Sequence, residues 1–310
     1  MLVTHSISRP LSLHTTRICR YLCTNESSSK LSLSSIRSRL SKFKGGEVTL
    51  TSSGANKNIA LINVSNPRHK NAFTGSMCIS LYDCIHELAG DTTWKAVIVR
   101  GLDRMFCSGA DLNMARQIAD SESGEQFSYF MQTTLSNLRN LPLPSFALLQ
   151  GNVLGGGAEL AVACDLTIAH PNTSIYFIQA KMGIVPGWGG ATHLVNKVGY
   201  HRALQILLSA DRVSSGRAHS IGLVDHLLNL PQNCDASLSD DKLLEKSLDI
   251  IDNQFAQLPV EVVRAAKSVA INASQLAYSD SISHERYIFK SLWGGPANLE
   301  ALESNLKHVK

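Results

Sequence analysis

The sequence contains no run approaching the roughly 18 uninterrupted apolar residues of a membrane-spanning helix, so no such segment is expected. Its seven cysteines, Cys19, Cys23, Cys78, Cys84, Cys107, Cys164 and Cys234, show neither C-x-x-C spacing nor the density of a secreted disulfide scaffold. Free thiols in a reducing compartment are the expectation. The eleven histidines include no H-E-x-x-H or comparable ligand spacing, so a metal site has no support in the sequence. Acidic residues are nearly missing from the first 44 positions, where Glu26 stands alone against eight of the 29 Lys and Arg. The remainder holds 21 basic and 24 acidic residues, so the body is slightly acidic although the formal net charge is +4. That balance disfavours a generic nucleic-acid-binding surface.

What is present suits a packed domain. With 310 residues, 44% hydrophobic and 17% charged, the chain can bury a substantial core in one large domain, or in one plus a small one. Residues 1–44, rich in Ser and Arg, read either as a mitochondrial presequence or as a disordered polar extension, and in both cases lie outside the expected fold. Val48-Thr49-Leu50 and Ile59 to Val64 predict a hairpin across a polar turn containing Gly54. Phe73, Met77, Leu81, Cys84, Ile85 and Leu88 recur at helical spacing, and Ala96 to Val99 is a short buried strand. A helix over 125–141, strands at 145–150 and 166–169, and an extended piece at 174–178 follow. Strands alternating with helices imply an α/β core with parallel strands joined by right-handed crossovers. Beyond Gly189 the pattern is helical, including 203–208, 240–257 and 261–272.

Two glycine turns carry the chemistry. Gly155-Gly156-Gly157 stands between an apolar run and the helix-like stretch Ala158 to Ala163, where missing side chains let backbone approach a ligand. The free N–H groups and dipole of that helix start favour negative charge, including an oxygen that becomes anionic during a reaction. Ser108-Gly109-Ala110 can supply an opposing N–H, and the two turns together read as an oxyanion hole. A glycine triplet alone is often only a packing turn, and Glu159 in a first helical turn is favoured there anyway.

The chain resembles the crotonase (enoyl-CoA hydratase/isomerase) superfamily from about Gly46 to its C-terminus. The resemblance rests on four ordered motifs: Asn66-Pro67 with Asn71-Ala72-Phe73, Phe106 to Leu112, Gly155 to Leu160, and Gly183 to Gly190. It implies a spiral of ββα units over 45–245 and a C-terminal helical trimerisation region over 246–310. It also implies a homotrimer or hexamer, an acyl-CoA substrate, and no cofactor beyond the CoA of the substrate. By position, Ala110 and Gly156 donate to the thioester oxygen. Phe106, Ser108, Gly109, Asp111, Gly155 and Trp188 are the expected substrate-binding positions, with Trp188 either walling the acyl pocket or serving as a core aromatic. Many family members carry Arg where this chain has His193.

The family's hydratases use two carboxylates. Glu159 matches the first, and the second position falls on Gln179, which cannot take a proton. Losing one of a cooperating acid and base costs about 10² to 10⁴ in rate, so hydration is disfavoured. The segments from Phe130 to Gly151, Trp188, and Trp293-Gly294-Gly295-Pro296-Ala297-Asn298 resemble the superfamily's decarboxylating branch, which acts on ethylmalonyl-CoA in metabolite repair. On that reading Gln179 spares a substrate carboxylate like-charge repulsion and donates a hydrogen bond to it. Glu159 is then protonated, turned aside or used to protonate the enolate. Competing readings are an enoyl-CoA hydratase or isomerase, an RNA-binding homologue, and a catalytically silent scaffold. The helix after Asp111 offers only Arg116 as a cation, which argues against the RNA-binding reading. Resemblance favours the cytosol, whereas composition of the first 44 residues favours the mitochondrial matrix.

Overall fold

The computed structural model describes residues 32–54, 58–230, 239–255 and 257–304. A six-stranded sheet lies at its centre, in the order β1 (Glu47–Ser52), β2 (Ile59–Ser65), β3 (Ala96–Gly101), β4 (Ser145–Leu149), β6 (Leu166–Ala169) and β9 (His226–Leu227). The β1–β2 pair is the expected antiparallel hairpin, and every later pair in this sheet is parallel. Alternation along β2 sends Ala60, Ile62 and Val64 to one core and Ile59 and Leu61 to another. Such near-continuous burial is what a sheet covered on both faces requires.

The larger core lies under α2 (Gly75–Gly90), α4 (Ser121–Arg139) and α5 (Gly156–Ala163), which supply Leu81, Leu135 and Leu160 among others. On the opposite face α9 (Asp240–Phe255) contributes Leu243, Leu248 and Ile251. A second, three-stranded sheet joins β5 (Asn152–Leu154), β7 (Ser174–Tyr176) and β8 (Val213–Ser214). Because β5 runs directly into the glycine triplet, this small sheet fixes where α5 begins.

Three sequence-based boundaries need correction. Helix α1 (Leu33–Leu40) falls in the stretch expected to lie outside the fold, yet its Ile36 and Leu40 are buried in the larger core. Arg37 clamps it with a two-pronged contact to Asp83 at 2.7 and 2.9 Å and lies over the Tyr82 ring. Gly75 admits the helix, since a Cβ there would collide with the carbonyl of Leu40. Residues 1–31 of the same stretch lie outside the described residues. The expected division at 245/246 cuts α9, whose apolar side belongs to the core. The segment beyond Gly189 is not wholly helical, because β8 and β9 are two-residue strands too short to show periodicity in sequence.

The C-terminal helices α10 (Val260–Gln275), α11 (Tyr278–Leu292) and α12 (Pro296–Glu303) complete the chain. Polar ties hold α10 to the core: Lys267 pairs with Asp165, and Arg264 donates to the carbonyls of Asp91 and Trp94.

Candidate active site

The turn 107–111 is stitched to the segment 66–73. Ser108 N donates to Lys70 O at 3.1 Å, Ser108 Oγ to His69 O at 3.2 Å, and Asp111 N to Phe73 O at 2.9 Å. Gly109 N donates to Cys107 Sγ at 3.2 Å, and Gly109 O accepts from Phe73 N at 2.8 Å. The N–H groups of Ser108, Gly109 and Asp111 are consumed by these bonds, whereas that of Ala110 is not. Since Gly109 O and Asp111 N both face Phe73, strand alternation turns the N–H of Ala110 to the other side.

Across from this turn, Gly155 N is spent on Tyr176 O at 2.9 Å. Gly156 is the first residue of α5, so its N–H has no acceptor inside the helix. The two turns touch: a Cβ on Gly109 would stand 3.0 Å from Gly156 N, and the φ of Gly109 is +96°. The turns that carry the two expected donors, Ala110 and Gly156, are therefore in contact. Cys107 offers no nucleophile beside it, because burial pushes its thiol up to about 12.

Trp188 closes one side. Its ring lies on the Cα of Gly156, where a methyl group would collide with it, and it meets Phe73 and Phe127 edge-on with centroids at 6.1 and 5.9 Å. The ring is buried in the larger core and lies against Gly156, the expected donor residue.

Glu159 is 2% exposed, and both carboxylate oxygens are engaged. Oε1 accepts from Gln179 Nε2 at 2.8 Å and Gly187 N at 3.3 Å, and Oε2 from Trp188 N at 2.7 Å and Gly190 N at 2.9 Å. Burial raises its pKa, and the four donors oppose that shift. Four N–H groups and no acceptor for an O–H make a site shaped for the ionised form. Through these bonds Glu159 ties the loop that carries Trp188. Gln179 sits on the 3-10 turn Ile178–Met182, reaching Glu159 through its nitrogen and leaving its buried Oε1 without a partner. The amide nitrogen carries a second N–H beyond the one given to Glu159, so the expected donor role toward a substrate carboxylate stays open to it.

Other expected positions divide. Phe106 is a core residue, 1% exposed, and its N–H is spent on Gln150 O at 2.9 Å, so its side chain is not available to a ligand. Asp111 caps α3 (Leu112–Gln117) by accepting from Met114 N at 2.8 Å. Ser108, Gly109 and Gly155 shape the site, with their N–H groups already engaged. His193 cannot replace an arginine as a cation: burial pushes its pKa down to about 4, and its Nδ1 has no hydrogen-bond partner. Sequence reasoning missed Arg68 and His69, which line a cavity of about 570 Å³ bordered by Asp111, beside the donor turn. Their place directly after Asn66-Pro67, one strand from that turn, was the available signal.

Two glycine turns in contact beside the buried Trp188, on a mostly parallel sheet wrapped by helices, form the frame of a crotonase-class fold. The profile of the enoyl-CoA hydratase/isomerase family matches residues 54–293, and the chain belongs to this family. Its relatives include the ethylmalonyl-CoA decarboxylase of Danio rerio, 42% identical over 274 residues with 88% of each chain covered. The ethylmalonyl-CoA decarboxylase of Homo sapiens is 38% identical over 275 residues, covering 89% of this chain and 86% of the relative. Among solved structures, an enoyl-CoA hydratase from Bacillus anthracis superposes with a TM-score of 0.74 at 24% identity, covering 84% of this chain and 96% of that one. One from Thermoplasma volcanium gives 0.71 at 26% identity, covering 85% and 97%.

Proposed function

We propose that this protein removes CO₂ from ethylmalonyl-CoA, with methylmalonyl-CoA as a second substrate. The observation that supports this reading is the surroundings of Glu159, which is saturated by N–H groups and meets Gln179 where a hydratase has its second acid. Support from relatives bearing the name ethylmalonyl-CoA decarboxylase points the same way.

In the reaction the thioester oxygen accepts from Ala110 N and Gly156 N. The bond from the α-carbon to the carboxylate breaks, its electron pair enters the thioester as an enolate, and CO₂ departs. Negative charge then accumulates on the oxygen between the two donors, where one such donor is worth about 2.7 to 4 kcal/mol. A proton added to the α-carbon gives butyryl-CoA. Arg68 and His69, exposed on the cavity rim, suit the anionic portion of CoA. Exposed Tyr278, Phe289, Trp293 and Leu302 on α11, its C-terminal cap and α12 support assembly into a homotrimer or hexamer.

The test is to incubate the purified protein separately with ethylmalonyl-CoA and crotonyl-CoA and to separate the products by chromatography. Butyryl-CoA without hydration is the expected result. Hydration of crotonyl-CoA without decarboxylation would overturn the reading.

A further inference from the structure

We propose that the segment following α1 is an added wall of the acyl-CoA cleft, in which Lys42 and Lys44 bind the phosphate groups of CoA. The inference rests on the acyl-CoA reading above and extends it to residues that precede the family match, which begins at residue 54. Lys42 and Lys44 line the same cavity of about 570 Å³ as Arg68, and the carboxylate facing it is Asp111, already engaged with Met114 N. None of these three cations has an ion-pair partner among the described residues. A concave rim with three unneutralised cations takes a polyanion in preference to a neutral ligand.

A lysine on a solvated surface would need no such explanation, but this backbone is pinned. Ile36 and Leu40 anchor α1 in the larger core, and Phe43 packs against it. Phe43 O accepts from Ser76 N at 2.9 Å, and Gly45 O accepts from Thr74 Oγ1 at 2.6 Å. Gly46 adopts φ +63° with its Cα pressed against Ser65 O and Asn66, a place that excludes a side chain. Both lysines are thus held on one rim of the cavity, while their side chains remain exposed to reach a ligand. That cavity adjoins the donor turn through Asp111, the neighbour of Ala110, and on this proposal the CoA chain runs from the turn to the cavity.

The test compares the full-length protein with its Lys42→Ala/Lys44→Ala variant on two substrates: ethylmalonyl-CoA and the ethylmalonyl thioester of pantetheine, which lacks the phosphates. The variant is expected to raise KM for the CoA thioester about tenfold while kcat stays within about twofold, and to leave KM for the pantetheine thioester unchanged. Salt should narrow the difference between the two proteins on the CoA thioester. Lys42→Arg/Lys44→Arg should retain the wild-type KM, and Lys44→Glu should lose more than the alanine change. Equal KM values for wild type and double variant on the CoA thioester would overturn the proposal, as would an equal loss on the pantetheine thioester. If the wild type turns over neither substrate, the decarboxylase reading falls and takes this inference with it. Turnover by wild type with indifference to the lysines removes only the inference.

Discussion

Gln179 Nε2 donates to Glu159 Oε1 at 2.8 Å, so the two positions that a hydratase would fill with a pair of carboxylates hold one carboxylate and one amide in contact. The consequence is a neutral neighbour for Glu159 and a loop, 187–190, that is tied to the carboxylate through its backbone.

Gln179→Glu would bring two carboxyl groups into that contact, where both cannot ionise together. Decarboxylation is expected to fall at least tenfold at neutral pH and to recover partly on acidification, when the pair holds a proton. A pH profile of kcat/KM for wild type and variant checks this; an unchanged profile would remove Gln179 from the account.

Glu159→Gln places an amide NH₂ among N–H donors. Loss of the ionic acceptor is expected to cost about 1–3 kcal/mol of stability and to lower turnover through displacement of Trp188. Denaturant unfolding together with tryptophan fluorescence reads both effects. Wild-type stability with lost turnover would instead assign Glu159 a direct part in proton transfer.

Gly156→Ala drives a methyl group into the Trp188 ring and displaces the donor beneath it. Removal of an oxyanion donor typically lowers kcat by about 10² to 10³, and that is the expected loss here. Steady-state kinetics on ethylmalonyl-CoA, with circular dichroism to verify folding, is the check.

Leu40→Ala tests whether α1 belongs to the fold. Truncating a leucine buried to 3% exposure is expected to cost about 2–5 kcal/mol in urea unfolding. A loss near zero would return the segment to the status of an extension.

His193 gives a pH signature. Its folded pKa of about 4 lies below the ordinary 6.5, so between these values the unfolded state binds more protons and stability falls as the pH falls. Above about 6.5 this contribution is fully present. His193→Gln is expected to flatten the stability curve in that window, as measured by unfolding midpoints from pH 7 to pH 4, whereas parallel curves for the two proteins would contradict the assignment.

Much of this was legible in the sequence, for identifiable reasons. The α2 helix and the β2, β3, β4 and β6 strands bury long regular patterns, and those patterns are visible without coordinates. Helix α1 was hidden because Leu33, Ile36, Leu40 and Phe43, although at helical spacing, stand in a Ser- and Arg-rich stretch nearly free of acid that reads as a presequence. The donor pair was readable as two glycine turns, but that Ala110 alone keeps a free N–H depends on bonds to residues 66–73. Likewise, Glu159 announces a carboxylate, while its four donors come from 179 and from 187–190, so its state is a tertiary property. That the Phe106 side chain belongs to the core is likewise a tertiary property, since adjacency to a functional turn says nothing about which side of the chain a residue faces.

Whether Ala110 and Gly156 polarise a thioester oxygen is measured directly by isotope-edited infrared difference spectroscopy of butyryl-CoA labelled at its thioester carbonyl. A carbonyl stretch shifted to lower frequency on binding to wild type, with the shift lost in Gly156→Ala, is the expected result. A bound thioester whose carbonyl stretch matches that in water would contradict it.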